Sequence, residues 1–225
     1  MAHLEYILFN LLVLIGPVSL SFEAKIRYVR RWPAALCAAA LMMIPFAIWD
    51  ALVTGRHWWF NPRYTAGTFI GSLPLGEWLF FITVPFASLF VWEVLSYYRV
   101  IHRPYPSKGI AAWLWLGLIP ALWAASAGKE YTALALLALV LIAQADRHLG
   151  GHIIERFQLW PYLAILALLM LLFNGYLTAR PIVLYDPAFQ LNCRIITIPL
   201  EDFIYGYSLI LGCTSIYVKI RSTHE

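Results

Sequence analysis

Pro74-Leu75-Gly76-Glu77-Trp78 and Pro199-Leu200-Glu201-Asp202-Phe203 each open a long apolar run. The two segments are copies. Pro62 lies 12 residues before Pro74, and Pro187 lies 12 residues before Pro199. Further upstream, Trp49-Asp50 with Thr54-Gly55-Arg56 aligns with Phe173-Asn174 and Thr178-Ala179-Arg180, with one gap. A repeat of about 125 residues therefore places carboxylates at matching points of a strongly apolar chain. There a charge is costly, roughly 2.5–3.5 kcal/mol at the centre of a spanning helix.

Composition supports the same reading. The chain is 62% hydrophobic and 12% charged, with a mean hydropathy of +0.72. Soluble domains carry about 25% charged residues. Seven stretches approach the roughly 20 apolar residues that a span requires: 4–21, 33–53, 74–96, 110–128, 131–147, 159–178 and 199–219. Lipid offers backbone groups no partner, so each is read as a helix. The first lacks the basic leader of a cleaved signal and is read as retained. Lys25, Arg27, Arg30, Arg31, Arg99, Arg103, Lys108, Arg147, Arg156, Lys219 and Arg221 fall on one side. Arg56, Arg63, Lys129, Arg180 and Arg194 fall on the other. The positive-inside rule then puts the N-terminus outside and the C-terminus in the cytoplasm. It also accounts for the net charge of +4 without nucleic-acid binding. Cys37, Cys193 and Cys213 form no disulfide or zinc pattern.

The expected fold is an all-α membrane protein with seven transmembrane helices. Two three-helix repeats run parallel, because the single helix between them restores the direction of the chain. The expected divisions are 1–98, a linker with the fourth helix at 99–130, and 131–225. In each repeat the second helix ends at Asp50 or Asn174, an outer loop follows, and the Pro-Leu motif starts the third. Proline suits a helix start, and acids there face the positive end of the helix dipole. Capping alone could explain one such motif. Two matched copies, with Asp50, Glu93 and Arg194 on or near the same helices, point instead to a site. Its candidate catalytic residues are Glu77, Glu201 and Asp202, with Asp50, Glu93, Asn174 and Arg194 in support. Trp58, Trp59, Trp78, Phe81, Tyr185, Phe203 and Tyr205 crowd the same region. Some of these rings suit an interfacial belt. A pocket that stabilises an apolar cation would also use ring faces, at about 0.5–2 kcal/mol each.

The sequence has no glycine-rich dinucleotide loop, P-loop, Ser-His-Asp signature or Asp-rich diphosphate motif. No cofactor or metal is expected. What remains is proton chemistry on a hydrophobic substrate. A carboxyl group shielded from water keeps its proton and can donate it, while a second carboxylate accepts one.

Several segments resemble the integral-membrane lycopene cyclases, the small type found as two subunits or one fused chain. In the first half they are Trp49-Asp50, Gly55-x-x-Trp58-x-Phe60-Asn61 and Leu73-Pro74-Leu75-x-Glu77-x-Leu79-Phe80-Phe81. In the second they are Asn174-x3-Thr178-x-x-Pro181-Ile182-Val183-x-Tyr185, Arg194-Ile195 and Ile198-Pro199-Leu200-Glu201-Asp202-Phe203-Ile204-Tyr205. The resemblance covers essentially the whole chain, in the fused form. It implies a non-redox lycopene β-cyclase, an intramolecular lyase or isomerase. An acid protonates the terminal double bond of lycopene, a neighbouring double bond closes a six-membered ring, and loss of a ring proton yields γ- and then β-carotene. Glu77 and the Glu201/Asp202 pair match the family's acidic motif. The family usually carries an acid where this chain has Gly76, so the second motif is expected to do more of the catalysis. The implied partners are lycopene from the bilayer and membrane lipids. Self-association or contact with other carotenoid enzymes is compatible with the sequence.

The competing classes are a seven-helix small-molecule transporter or lipid-binding protein, and a cyclase for another carotenoid end group. Transporter sites lie near the bilayer midplane, whereas these polar residues gather at one end. Asp146, His148, His152 and Glu155 form a weaker cluster, read as a solvated loop because Gly150-Gly151 interrupts the helix. His57 is read as an interfacial residue at the mouth of the aromatic loop.

Overall fold

The computed structural model describes residues 2–98 and 113–224. Arg99, Arg103 and Lys108, used in the charge count, and the start of the expected fourth span lie outside the described residues. Seven α-helices are present among those described: α1 (Glu5–Leu20), α2 (Trp32–Val53), α3 (Leu75–Tyr97), α4 (Leu118–Ser126), α5 (Glu130–Leu149), α6 (Leu159–Ala179) and α7 (Leu200–His224). Six are long and apolar enough to cross a membrane. Among the described residues the fourth apolar helix covers Leu114–Ser126 with its 3-10 turn.

The repeat is visible in the packing. In the first half α1 lies against α3, and in the second α5 lies against α7. The connections before α3 and α7 also repeat, and each contains a short hairpin. A hairpin of β2 (Phe69–Ile70) and β3 (Leu73–Pro74) precedes α3. A hairpin of β5 (Arg194–Ile195) and β6 (Ile198–Pro199) precedes α7. Leu75 N–H donates to Thr68 C=O and Leu200 N–H to Cys193 C=O, both at 2.9 Å. Each hairpin thus ties back the chain where its helix begins, and the proline is the last residue before the helix. The tight turns need a left-handed residue. Gly71 (φ 65°) supplies it in the first copy and Ile196 (φ 61°) in the second.

A further ribbon joins the repeats. β1 (Trp58–Phe60) runs antiparallel to β4 (Val183–Tyr185), pairing Trp58 with Tyr185 and Phe60 with Val183. Side chains alternate across a strand. Trp58 and Phe60 therefore point inward and are buried, while Trp59 between them points out.

The two halves differ in one decisive respect. α2 packs closely on both α3 and α7, whereas its counterpart α6 touches α3 and α7 far less. The cause is local sequence. The buried face of α2 carries Ala35, Ala38, Ala39 and Ala47, and small residues let helix backbones approach. The equivalent face of α6 presents Leu166, Leu169, Met170 and Phe173. These side chains hold α6 away and leave a cavity between α1, α3, α6 and α7.

Candidate active site

The cavity measures about 360 Å³. At its outer end it is lined by Asp50, Glu77 and Asp202, with Tyr6, Trp58, Phe60, Tyr131, Asn174, Tyr185 and Tyr205. On α1 the lining runs from Tyr6 to Leu20, about 21 Å at 1.5 Å per residue. The three carboxyl groups are buried, but Leu12 and Leu20 on the same wall are 58% and 54% exposed. The cavity is therefore closed around the acids and open to lipid along α1. Beside Tyr6, Glu5 forms a bidentate pair with Arg180 at 2.8 and 2.9 Å. Just below, Phe9 stacks on Tyr176.

Each acid sits in a cradle set by the repeat. Tyr6 donates its hydroxyl to Glu77. Tyr131 donates to Asp202 at 2.7 Å. The two tyrosines occupy equivalent positions at the starts of α1 and α5. The residue from the second helix is equivalent too: Asp50 is hydrogen-bonded to Glu77, and Asn174 Nδ2 donates to Asp202 at 2.9 Å.

The two cradles thus differ in one residue type, Asp50 against Asn174. Ionised carboxylates only accept hydrogen bonds, and two carboxyl groups bond to each other only where one of them carries a proton. Like charges at such close range do not both ionise. Tyr205 completes this group by donating to Asp50 at 3.0 Å. Asp202 instead receives three donors: Tyr131, Asn174 and Tyr185, the last at 2.7 Å. Burial and the facing Asp202 carboxylate push the Tyr185 hydroxyl well above its ordinary value, so it remains a donor. The geometry thus brings a pair of carboxyl groups and a third carboxyl with three hydrogen-bond donors into one apolar cavity.

Gly76 also has a reason. A Cβ there would stand 2.5–2.6 Å from the Tyr6 ring, so a side chain would displace the tyrosine that serves Glu77. Asn10 binds the same spot, donating to the Gly76 carbonyl at 2.9 Å. Gly76→Glu, which copies Glu201 of the second motif into the first, is expected to lower activity about tenfold or more through the loss of Tyr6 positioning. Product formation per unit of folded protein in vesicles measures it, and unchanged turnover would refute the steric account.

The remaining sequence candidates are dispersed. Glu201 does not line the cavity. Its Oε1 accepts from Thr132 Oγ1 at 2.6 Å and Leu191 N–H at 2.7 Å, while buried Oε2 has no hydrogen-bond partner. Glu93 lies 16 residues beyond Glu77 on α3, about 24 Å along the helix, and is bound by Arg31, Arg221 and Tyr217. Arg194 lies on the outer surface, donating to Thr197 C=O at 2.7 Å with its guanidinium over the Tyr185 ring. Trp58, Tyr185 and Tyr205 line the cavity; Trp59, Trp78, Phe81 and Phe203 do not. Trp78 donates to Ile70 C=O in the hairpin, and Phe81 is fully buried in the core.

Sequence reasoning missed Tyr6 and Tyr131. The signal was available: Glu5-Tyr6 and Glu130-Tyr131 are separated by the same interval as Glu77 and Asp202. The two glutamates make matching bridges across the repeats, Glu5 to Arg180 and Glu130 to Arg56. His57 is buried beside Glu130 at 3.1 Å, and burial lowers its affinity for a proton. Asp146 receives Ile153 N–H, Ile154 N–H and Ser215 Oγ, which makes it a clamp for the loop after α5. Among the described residues no cluster of three or more His, Cys, Asp or Glu is placed to hold a metal ion.

The fold and cavity define a multi-pass membrane protein whose carboxyl-lined apolar site opens to lipid. The chain belongs to the lycopene cyclase family, whose profile matches residues 3–95 and 129–220, well over half its length. No curated protein and no solved structure matches it. Its function is that of a carotenoid cyclase acting on an apolar substrate within the membrane.

Proposed function

We propose that the protein is a lycopene β-cyclase in which the Asp50–Glu77 pair is the acid and Asp202 the base. The observation that carries this reading is the unequal pairing: carboxyl with carboxyl in the first repeat, carboxylate with amide in the second. The open end of lycopene enters between α1 and α6 and lies against Trp58, Tyr131, Tyr185 and Tyr205. The shared proton passes to the terminal double bond and forms a new C–H bond and a tertiary cation. The neighbouring double bond supplies its electron pair to that cation, closing the ring and moving the positive charge onto a ring carbon. Asp202 then removes a ring proton, and those C–H electrons become the new ring double bond. One proton enters and one leaves, so the product is an isomer and no oxidant or reductant is consumed. Aromatic faces and the Asp202 charge favour the cation between the two proton transfers.

The acids occupy one end of the cavity, so one substrate end is processed at a time. Monocyclic γ-carotene is then released, or turned round, before β-carotene forms. Expression in lycopene-accumulating cells with chromatography of the pigments tests the function. Early γ-carotene followed by β-carotene is the expected result. Unchanged lycopene would sink it and leave the transporter or lipid-binding class. A different ring isomer would move the activity to another end group.

The orientation is proposed as N-terminus outside, with the acid site at the outer end. Cys193, an exposed free thiol in the outer connection, reports on it. A membrane-impermeant maleimide should label intact cells, and Cys193→Ser should remove that label. Labelling only in inverted vesicles would reverse the orientation.

A further inference from the structure

The hairpin before α7 turns on a conformation that a β-branched residue rarely takes. Ile196 has φ 61°, where the matching turn of the first repeat has Gly71. A side chain branched at Cβ is disfavoured there. Ile196 is also 81% exposed, and its neighbour Ile195 is 42% exposed. In water both features are unfavourable, because the backbone is strained and the apolar side chain gains no burial in return. The first hairpin shares the exposure: Phe69 is 49% and Ile70 53% exposed. In each copy the outer strand is exposed, while the strand that leads into the helix is buried.

Contacts set the depth of these hairpins. Thr197 and Thr178 are bonded through their hydroxyls at 2.7 Å, and Thr178 is in the last turn of the spanning helix α6. Ile198 reaches one turn further in, since a Cβ on Gly175 would stand 3.8 Å from its Cδ1. In the first copy Ser72 Oγ donates to the Ala51 carbonyl at 3.0 Å, in the last turn of the spanning helix α2. Each hairpin therefore lies beside the end of a spanning helix and not beyond it. At that level its apolar outer strand faces away from the protein. The outer edge of a hairpin also carries backbone polar groups. Hydrocarbon cannot serve these, whereas the headgroup boundary offers apolar contact and polar partners together. We propose that both hairpins dip their outer strands into the headgroup boundary of the lipid leaflet on the acid-site side. Lipid contact at Ile196 then offsets the strain of its backbone. The repeat carries two interfacial anchors, at the heads of α3 and α7, and they hold Glu77 and Asp202 at a fixed depth. This rests on the spanning helices and not on the cyclisation chemistry.

Nitroxide labelling of the full chain in phosphatidylcholine vesicles tests the anchors, in a Cys37→Ala, Cys193→Ser background that keeps the buried Cys213. The label is introduced singly by Ile196→Cys, by Ile70→Cys, by Leu172→Cys on the exposed side of α6, and by Arg63→Cys between β1 and β2. All four positions are exposed, so labelling does not disturb packing. Relaxation by oxygen, which concentrates in lipid, is compared with relaxation by a water-soluble nickel chelate. The oxygen-to-chelate ratio at 196 and at 70 should lie closer to that at 172 than to that at 63. A ratio closer to that at 63 places the tip in water and overturns the proposal for that hairpin. Spin–spin broadening that disappears on dilution with unlabelled chain would mean contact with a second copy, and it overturns the lipid assignment in favour of that interface.

Discussion

Asp50→Asn is expected to reduce ring formation by about 100- to 10,000-fold, the usual contribution of a positioned proton donor. The substitution is nearly isosteric and copies the second repeat into the first, because Asn174 is the equivalent residue. An amide at position 50 can donate to Glu77, as Asn174 does to Asp202. Glu77 would then be held as a carboxylate, and the proton shared with Asp50 would be gone. The Tyr205 contact, now at 3.0 Å to Asp50, can persist to the amide oxygen, so the fold should survive. Glu77→Gln removes the other half of the pair and should fall in the same range. Rates measured in vesicles loaded with lycopene decide it, with thermal unfolding as the control for folding. Wild-type rates in both variants would remove the pair from the mechanism.

Asp202→Asn should be at least as severe, about 100- to 10,000-fold. It replaces a carboxylate that receives three hydrogen bonds, two of them from tyrosines that cannot reverse their role without turning their hydroxyls. The variant loses both the group that removes the ring proton and the negative charge that faces the cation. Its failure should differ from that of Asp50→Asn. Without the acid, lycopene stays intact. Without the base, a cation that does form must be quenched by another route, so traces of other ring isomers or of hydrated products are expected. Chromatography of the residual products separates the two cases. Glu201→Gln is the useful contrast. Glu201 lies outside the cavity and holds Thr132 and the Leu191 backbone, so its loss should act on stability before rate. A Glu201→Gln defect as large as that of Asp202→Asn would require Glu201 to reach the substrate.

This division differs from the one the sequence suggests. The absent acid at Gly76 points to the second motif as the more active half, with Glu201 and Asp202 as neighbours in catalysis. The structure gives Gly76 a steric role under Tyr6 and turns Glu201 away from the cavity. Adjacent residues on a helix are about 100° apart around its axis, and here Asp202 lines the cavity while Glu201 does not. Glu93 is on α3 but about 24 Å along it from Glu77, and Arg194 is in the hairpin before α7 and outside the cavity lining. Helix number and sequence proximity do not encode height in the membrane or direction.

The sequence by itself determined the helical membrane fold, the internal repeat and the convergence of two acidic motifs on one end of the bundle. Those features follow from composition, span length and periodicity, which depend on local residue order. The cradles of the acids came only from tertiary structure. Tyr6 and Glu77 are 71 residues apart, as are Tyr131 and Asp202, and no local pattern joins them. The open side of the cavity was likewise decided by packing. An alanine-rich α2 closes on its neighbours while a leucine-rich α6 cannot, and the same repeat makes a solid wall in one half and an entrance in the other.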